Sequence, residues 1–469
     1  MHMSASLQTK NQHLLWRAGF GPAAGQWEDM RERSLKRTLK SLETDSKAQF
    51  VPFKITAGSA EAYGMMDAQA RREAQKRGRD EIRALNLAWI NRMVSGEQML
   101  REKMAFFWHG HFAARTQNSL FTQNLVNTLR EHALGDFGTL LRAVSKSPAM
   151  LAFLNNQQNR KQRPNENFAR EVMELFTLGR GHYTETDVKE AARAFTGWQF
   201  DRDGSFLFRA NFHDDGDKTV LGVKGRLSGD DVIDILLKKP ETAAFITRKI
   251  WRFFVSEQID EPLVQKLSGQ FFRSGYDISA LMHDIFSSDF FYESRHIGCR
   301  IKSPVELIVG IRRILPMQFG NPDVQLLMQR VLGQVLFYPP NVAGWPGGKD
   351  WIDGASLMYR MQIPRMVASR EIPAIRTKDD DDQDMGMSRR YERRTSRPLD
   401  TRIDWNPHFT GMAGVKREEL LTATARILWQ TANTPDGPTL EKHLDNASRE
   451  AFIRSAFIRL MGSPEYQLC

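Results

Sequence analysis

Cysteine is the scarcest residue type in this chain of 469 residues, since only Cys299 and Cys469 occur. A disulfide framework requires several cysteine pairs, and a thiolate metal cluster requires closely spaced cysteines. The sequence therefore excludes a scaffold held together by disulfides and a metal cluster held by thiolates.

Long apolar runs are also missing. No stretch approaches the roughly 18 apolar residues that a membrane-spanning helix needs. Residues 1–10 lack the charged-then-apolar pattern of a secretory signal. We therefore expect a cytoplasmic protein, or a periplasmic or exported one if a leader is missing from the sequence.

Concentrated basic patches are few, although the formal net charge at pH 7 is +10. The densest basic run, residues 71–83, is interrupted by Glu73, Asp80 and Glu81. Interspersed charges of both signs are typical of a solvated helix face. No zinc-finger, helix-turn-helix or aromatic-platform motif accompanies the run. The sequence therefore argues against a nucleic-acid partner.

The common motifs of nucleophilic and nucleotide chemistry are absent as well. The sequence has no Gly-x-Ser-x-Gly elbow, no phosphate-binding loop and no dinucleotide fingerprint. These absences argue against a serine hydrolase, a kinase and a hydride-transferring enzyme.

Helix signals, in contrast, recur along the whole chain. Ser303, Pro304 and Glu306 form a complete start signal, in which the serine caps, the proline occupies the first turn and the glutamate returns to the free backbone amide. Ser228 with Asp231 marks another start. A third start at Pro240 opens a helix whose apolar positions are Phe245, Ile250, Phe253 and Phe254. The sequence predicts a mainly α fold.

One segment interrupts the helical pattern. Short apolar runs near 198–223 flank the turn of residues 201–204 (DRDG), which predicts a small β-hairpin insertion. We therefore expect one large multi-helix domain over residues 11–370 with this insertion. Residues 371–403 carry acidic and then basic runs and predict a charged, disordered linker or loop. Residues 404–469 predict helices that pack back on the main domain.

Several motifs resemble those of a bacterial family of unknown function, the domain of unknown function 1800. The matching segments are residues 13–21 (HLLWRAGFG), 107–112 (FWHGHF), 165–179 (NENFAREVMELFTLG), 190–198 (EAARAFTGW), 213–219 (HDDGDKT), 302–306 (KSPVE), 339–345 (PPNVAGW) and 463–467 (SPEYQ). The resemblance covers almost the whole chain. It implies one large helical domain, frequent export and a sulfatase-like partner protein, but no established activity.

Two glutamates in the longest of these motifs are candidate catalytic residues. Glu171 and Glu174 lie three positions apart on a predicted helix that starts near Asn165 and ends at Gly179. Facing inward, they would serve as acid–base carboxylates or hold an ion. Facing outward, they would join a surface ladder of ion pairs with Arg170.

Three histidines are candidate metal ligands. His109 and His111 would point the same way on an extended chain but about 200° apart on a helix, where only one could reach an ion. His213 precedes Asp214 in a polar turn. Each histidine also has a structural explanation: packing in the core for the first two and turn chemistry for the third.

These five residues support the leading hypothesis, a metal-dependent enzyme of hydrolytic or oxidative type. Imidazole and carboxylate ligands suit zinc, manganese or iron. The rival hypothesis is a non-catalytic envelope or assembly partner that uses a loop rich in proline and glycine. Trp345 and Trp351 in that loop would line a groove for a ligand, or anchor the loop in the core.

Overall fold

The structure, a computed structural model, describes residues 5–55, 67–369, 399–431 and 435–469. The protein is mainly α, as the sequence predicts, with about 60% helix. The described residues form 21 α-helices. In chain order these are α1 Leu7–Arg17, α2 Trp27–Glu32, α3 Leu35–Ser46, α4 Ala68–Ser95, α5 Met99–His111, α6 Ser119–Glu131, α7 Phe137–Ser145, α8 Pro148–Phe153, α9 Asn167–Glu171, α10 Glu185–Ala194, α11 Gly229–Leu237, α12 Pro240–Phe254, α13 Glu261–Arg273, α14 Ile278–Ser287, α15 Pro304–Ile314, α16 Val324–Val331, α17 Gly354–Ser369, α18 Asn406–Gly411, α19 Leu420–Leu428, α20 Gly437–Glu441 and α21 Arg449–Met461.

The helix starts follow the capping signals in the sequence. At α15 the Ser303 side chain accepts a hydrogen bond from the backbone N–H of Glu306, and the Glu306 carboxylate accepts one from the backbone N–H of Ser303. The same reciprocal pair joins Ser228 and Asp231 at the start of α11. Both predicted starts are confirmed, because capping satisfies backbone donors through residues that are adjacent in sequence.

Helix α5 is largely buried. Met104, Ala105 and Trp108 on it have no exposed surface. It contacts α3, α4 and α6. Phe107, also on α5, packs its ring against Phe253 and Phe254 of α12. These contacts place the end of α5, with its two histidines, beside the second half of α12.

The C-terminal helices contact the rest of the chain through buried polar and apolar groups. His408 of α18 donates a hydrogen bond from Nε2 to the carbonyl oxygen of Ile314, 2.7 Å away. The Gln12 side chain of α1 donates to the carbonyl oxygen of Ile427 in α19 at 2.6 Å. One contiguous cluster of buried apolar side chains includes residues from α1 and from α21.

The predicted β insertion contains two hairpins. Strand β1, Trp198–Phe200, pairs with β2, Phe206–Phe208, and β3, Lys218–Val220, pairs with β4, Val223–Gly225. Asp201 closes the first turn, because its Oδ1 accepts from the backbone N–H groups of Asp203 and Ser205.

A third antiparallel pair joins the segment that follows α15 to the segment that precedes α18. Strand β5, Met317–Phe319, pairs with β6, Thr401–Ile403. The predicted linker at 371–403 lies outside the described residues as far as residue 398. The last residues of this predicted linker, Thr401–Ile403, are a strand, so the prediction of disorder is wrong for them.

No helix in the described ranges combines the length and apolar character needed to cross a membrane.

Candidate functional site

Helix α5 continues without a break through both candidate histidines. Both histidines lie within α5, which ends at His111. Residues two positions apart on a helix point in different directions, so the side chains of His109 and His111 leave the helix on different sides. His109 is buried among the rings of Trp89, Phe337 and Trp345. Its Nε2 accepts a hydrogen bond from the backbone N–H of Phe337 at 3.1 Å. Burial lowers the pKa of His109 to about 3, so this imidazole is a neutral core group.

His111 points toward the end of a different helix. Its Nε2 lies 3.3 Å from the carbonyl oxygen of Phe176. A carbonyl only accepts, so this nitrogen carries the proton and Nδ1 presents a lone pair. Burial, followed by the charge of Lys249, lowers the pKa of His111 well below its usual value. The ring is therefore neutral, with a defined acceptor.

The segment that faces His111 is a π-helix. The sequence predicts one α-helix between residues 165 and 179, but α9 ends at Glu171 and Val172–Thr177 continue as a π-helix. Such segments occur frequently at functional sites. The carbonyl groups of the last helical turn lack partners within a helix. Here the carbonyls of Leu175 and Phe176 face the side chains of Lys249 and His111 instead.

Lys249 of α12 completes this arrangement. Its Nζ lies 3.1 Å from Nδ1 of His111 and 3.2 Å from the carbonyl oxygen of Leu175. Burial, together with the charge of Arg252 one turn away, lowers the pKa of Lys249 to about 8. The amine therefore titrates close to neutral pH, where an ordinary lysine is fully charged.

Lys249 and His111 line a cavity of about 500 Å³. Its walls come from the ends of α5 and α12, the start of α15 and the loop that precedes α17. The lining residues are Phe106, Phe107, Gly110, His111, Lys249, Arg252, Phe253, Glu257, Arg300, Ser303, Gln334, Ala343, Trp345, Pro346, Gly347, Gly348 and Trp351. A cavity of this size suits a small organic ligand.

Close backbone packing holds the tryptophan loop on α5. Gly344 has a φ of +86°, and a Cβ placed there would lie 2.3 Å from the carbonyl oxygen of Gly110. Glycine is therefore required at Gly344, both for its backbone conformation and for this approach. Trp345 is half-buried with its ring 5.1 Å from that of His109, whereas Trp351 is buried. Both tryptophans line the cavity.

The charged groups on the cavity wall are mostly cationic. Arg300 is only 7% exposed, and its Nη1 makes no hydrogen bond with any described residue. The same nitrogen lies 4.0 Å from Glu306, whose carboxylate also pairs with the buried Lys103. The Arg300 guanidinium lies over the Phe253 ring at 4.9 Å. Two cations, Arg300 and Lys103, share the one Glu306 carboxylate, so the group as a whole carries a net positive charge.

The two candidate glutamates lie outside this cavity lining. Glu174 accepts hydrogen bonds from Tyr183 Oη and Arg180 Nε, both at 2.6 Å. These two bonds lower its pKa. Burial and the neighbouring Glu174 raise the pKa of Glu171. Arg170 pairs with Glu166 at 3.2 Å and with Glu185 at 2.7 Å, as a surface ladder would.

His213 is placed in the β insertion. Its Nδ1 donates to the carbonyl oxygen of Thr196 at 2.9 Å, and its ring packs against Phe208. The following Asp214 binds Arg193 Nε at 2.8 Å. His213 does not line the cavity that contains His111.

The proposed ligands therefore do not converge on one ion. Across the described ranges, no three His, Cys, Asp or Glu side chains are grouped so that they could hold a metal. Both nitrogens of His111 and both oxygens of Glu174 already have partners. These residues do not fit a shared zinc, manganese or iron site, and metal binding stays a prediction.

The cavity instead brings His111, Trp345 and Trp351 together with three residues that the sequence did not single out, Lys249, Arg252 and Arg300. One signal was available for Lys249. It lies four positions after Phe245 and four before Phe253, so a lysine occupies the aromatic side of α12.

Comparison with known proteins agrees with the motif resemblance. Residues 13–468 match the sequence profile of a family described as "Protein of unknown function (DUF1800)". No curated protein and no solved structure matches the chain. Because the match spans nearly all of the sequence, the chain belongs to the DUF1800 family of proteins of unknown function.

Proposed function

We propose that this protein is an enzyme that binds a small anionic, partly apolar ligand in the cavity and transfers a proton to or from it through Lys249. The observation that carries the proposal is the position of Lys249 Nζ, 3.1 Å from His111 Nδ1 on the wall of a cavity that Arg252 and Arg300 also line.

The charge of the cavity wall favours an anion. Lys249, Arg252 and Arg300 contribute positive charge, and Glu257 is the carboxylate among the lining residues. Because burial removes water from Arg300, its attraction to an anion is stronger than that of a surface arginine. A ligand carboxylate, phosphate or sulfate would be attracted by these three cations.

The rest of the wall favours an apolar ligand body. Phe107, Phe253, Trp345 and Trp351 supply aromatic surface. Aromatic rings combine large apolar area with defined stacking geometry, so they orient a planar ligand. The few polar groups would then fix which end of the ligand meets Lys249.

Proton transfer is the chemistry that the lysine can supply. A general acid or base works best when its pKa is near the working pH, and Lys249 has a pKa of about 8. The His111 Nδ1 lone pair and the Leu175 carbonyl hold the amine in place. His111 acts here as a positioning residue, because burial keeps it neutral.

The cavity also bears on the two earlier hypotheses. The histidines and glutamates that the sequence suggests as metal ligands do not meet at one point, so a metal-dependent reaction would need other ligands. The partner-binding alternative depends on Trp345 and Trp351, yet Trp351 is buried and both line the cavity. A ligand-binding role for the two tryptophans is therefore part of the present proposal, and a sulfatase-like partner stays a prediction.

Calorimetric titration tests the proposal with matched ligands. We expect 4-(hydroxymethyl)benzoate to bind and its uncharged amide to bind at least about tenfold more weakly, since a charged hydrogen bond contributes roughly 1.5–3 kcal/mol. Arg252→Gln should weaken binding of the anion, whereas Arg248→Gln, one turn earlier on α12 and outside the cavity lining, should not. Equal binding of the anion and the amide would contradict the proposal.

A further inference from the structure

We propose that Lys249 is a nucleophile that forms an imine with an anionic aldehyde or ketone bound in the cavity. This inference rests on the proposed function, because the same cavity must first hold the anion. It assigns a covalent role to the amine and restricts the substrate class to carbonyl compounds that carry a negative charge.

The hydrogen bonds of Lys249 suit a nucleophile. A neutral amine has two N–H groups and one lone pair. His111 Nδ1 and the Leu175 carbonyl oxygen are both acceptors, so they engage the two N–H groups. Neither of these two partners donates a hydrogen bond to the amine nitrogen. The lone pair is therefore left for a carbonyl carbon in the cavity that Lys249 lines.

The surroundings of Lys249 also increase the fraction of its side chain that is uncharged near neutral pH. With a pKa of about 8, about half of the Lys249 side chains are uncharged at pH 8, against less than about 1% for an ordinary lysine. Enclosure in an apolar site beside another cation is a known way to activate a lysine. Here the other cation is Arg252, one helical turn away on α12.

Arg300 contributes positive charge for the anionic group of the substrate. Arg300 lines the same cavity, and its ion pair with Glu306, which also pairs with Lys103, leaves a net positive charge there. An anionic group on the substrate would face the positive charge of Arg300 and Arg252 while the carbonyl carbon meets Lys249. The apolar body of the substrate would then contact Phe253, over which Arg300 lies.

The reaction is balanced without a redox partner. A C–N bond forms between Lys249 Nζ and the carbonyl carbon, and the carbon–oxygen bond breaks. The carbonyl oxygen leaves as water with the two hydrogens of the amine. The proton that the amine releases on attack passes to the carbonyl oxygen within the tetrahedral intermediate, while His111 Nδ1 stays a hydrogen-bond acceptor that positions the amine.

A second buried lysine provides an internal comparison. Burial lowers the pKa of Lys302 to about 7. Its Nζ is enclosed by the rings of Trp16 at 3.8 Å and Tyr466 at 3.7 Å, and Lys302 does not line the cavity. A low pKa without access should give no imine. Lys302 therefore separates the effect of the cavity from that of a low pKa.

Reductive trapping tests the inference. The full-length protein is incubated at pH 8 with 4-formylbenzoate and cyanoborohydride, and modified lysines are mapped by peptide mass spectrometry. We expect Lys249 to be labelled at least about tenfold faster than exposed lysines such as Lys224, following its larger neutral fraction. Lys302 should remain unlabelled. Lys249→Arg should remove this label, whereas Arg248→Gln, outside the cavity lining, should keep it. Circular dichroism checks the folding of both variants.

The noncarbonyl analogue distinguishes the two possible failures. Binding of 4-(hydroxymethyl)benzoate without faster labelling of Lys249 would overturn the imine and leave the proposed function standing. If the analogue does not bind and Lys249 is labelled no faster than exposed lysines, both are overturned. Labelling of Lys249 that falls when the analogue is added supports both.

Discussion

Lys249 Nζ and His111 Nδ1 lie 3.1 Å apart and connect the second half of α12 to the end of α5. The same two side chains bind consecutive carbonyls of the π-helix, those of Leu175 and Phe176. Three helical segments therefore meet at one partly buried lysine. The hydrogen bonds at this junction hold the Lys249 amine in place.

The first prediction concerns stability as a function of pH. The pKa of Lys249 falls from its usual 10.5 to about 8 in the folded protein, so between these values the unfolded chain binds more protons. The contribution of Lys249 to folding stability therefore rises as the pH increases from about 8 to about 10.

Urea unfolding of the wild type and of Lys249→Met at a series of pH values measures this contribution. We expect the difference in unfolding free energy to shift in favour of the wild type across that range. Below pH 7 the lysine is protonated in both the folded and the unfolded chain, so the difference should be constant there and least favourable to the wild type. A difference that is constant from pH 7 to pH 10 would show that Lys249 titrates normally.

The second prediction concerns the contact between the tryptophan loop and α5. Gly344→Ala should lower the free energy of unfolding by about 1–3 kcal/mol and weaken ligand binding, because the new Cβ would collide with the Gly110 carbonyl and strain a φ of +86°. Gly347→Ala is the matched control, since a Cβ there meets nothing within 4 Å. Chemical denaturation and calorimetry of both variants measure the two effects. Equal behaviour of the two variants would refute the proposed anchoring of the loop.

The third prediction concerns metals. Because the candidate side chains do not converge, added zinc, manganese or ferrous ion should leave the thermal unfolding temperature unchanged. Elemental analysis of purified protein should likewise give the same result for the wild type and for His109→Ala with Glu171→Ala. A stoichiometric ion that this double variant loses would restore the metal-dependent hypothesis.

Local features of the fold could be predicted from the sequence. The helix starts at Ser228 and Ser303 depend on residues three positions apart, so consecutive sequence contains all the information. The hairpin turn at Asp201 is equally local. The π-helix could not be predicted in this way, since the spacing of apolar residues in 165–179 suits an α-helix.

The site was harder to predict because distant parts of the chain build it. Periodicity marks Phe253 as an apolar position of α12, but it cannot show that α5 and the loop at Trp345 enclose the neighbouring Lys249. His111 was singled out for metal binding, whereas its nitrogens contact a carbonyl and an amine. Its importance depends on packing partners 65 and 138 residues away.

The most direct test of the central claim is protection of Lys249 from acetylation. Wild-type protein is treated at pH 8 with limiting acetic anhydride, with and without saturating 4-(hydroxymethyl)benzoate, and acetylation is quantified at each lysine. We expect Lys249 to react faster than exposed lysines, and we expect the ligand to slow acetylation at Lys249 but not at Lys224. If the ligand binds while acetylation of Lys249 is unchanged, the anion occupies another site and the account is contradicted.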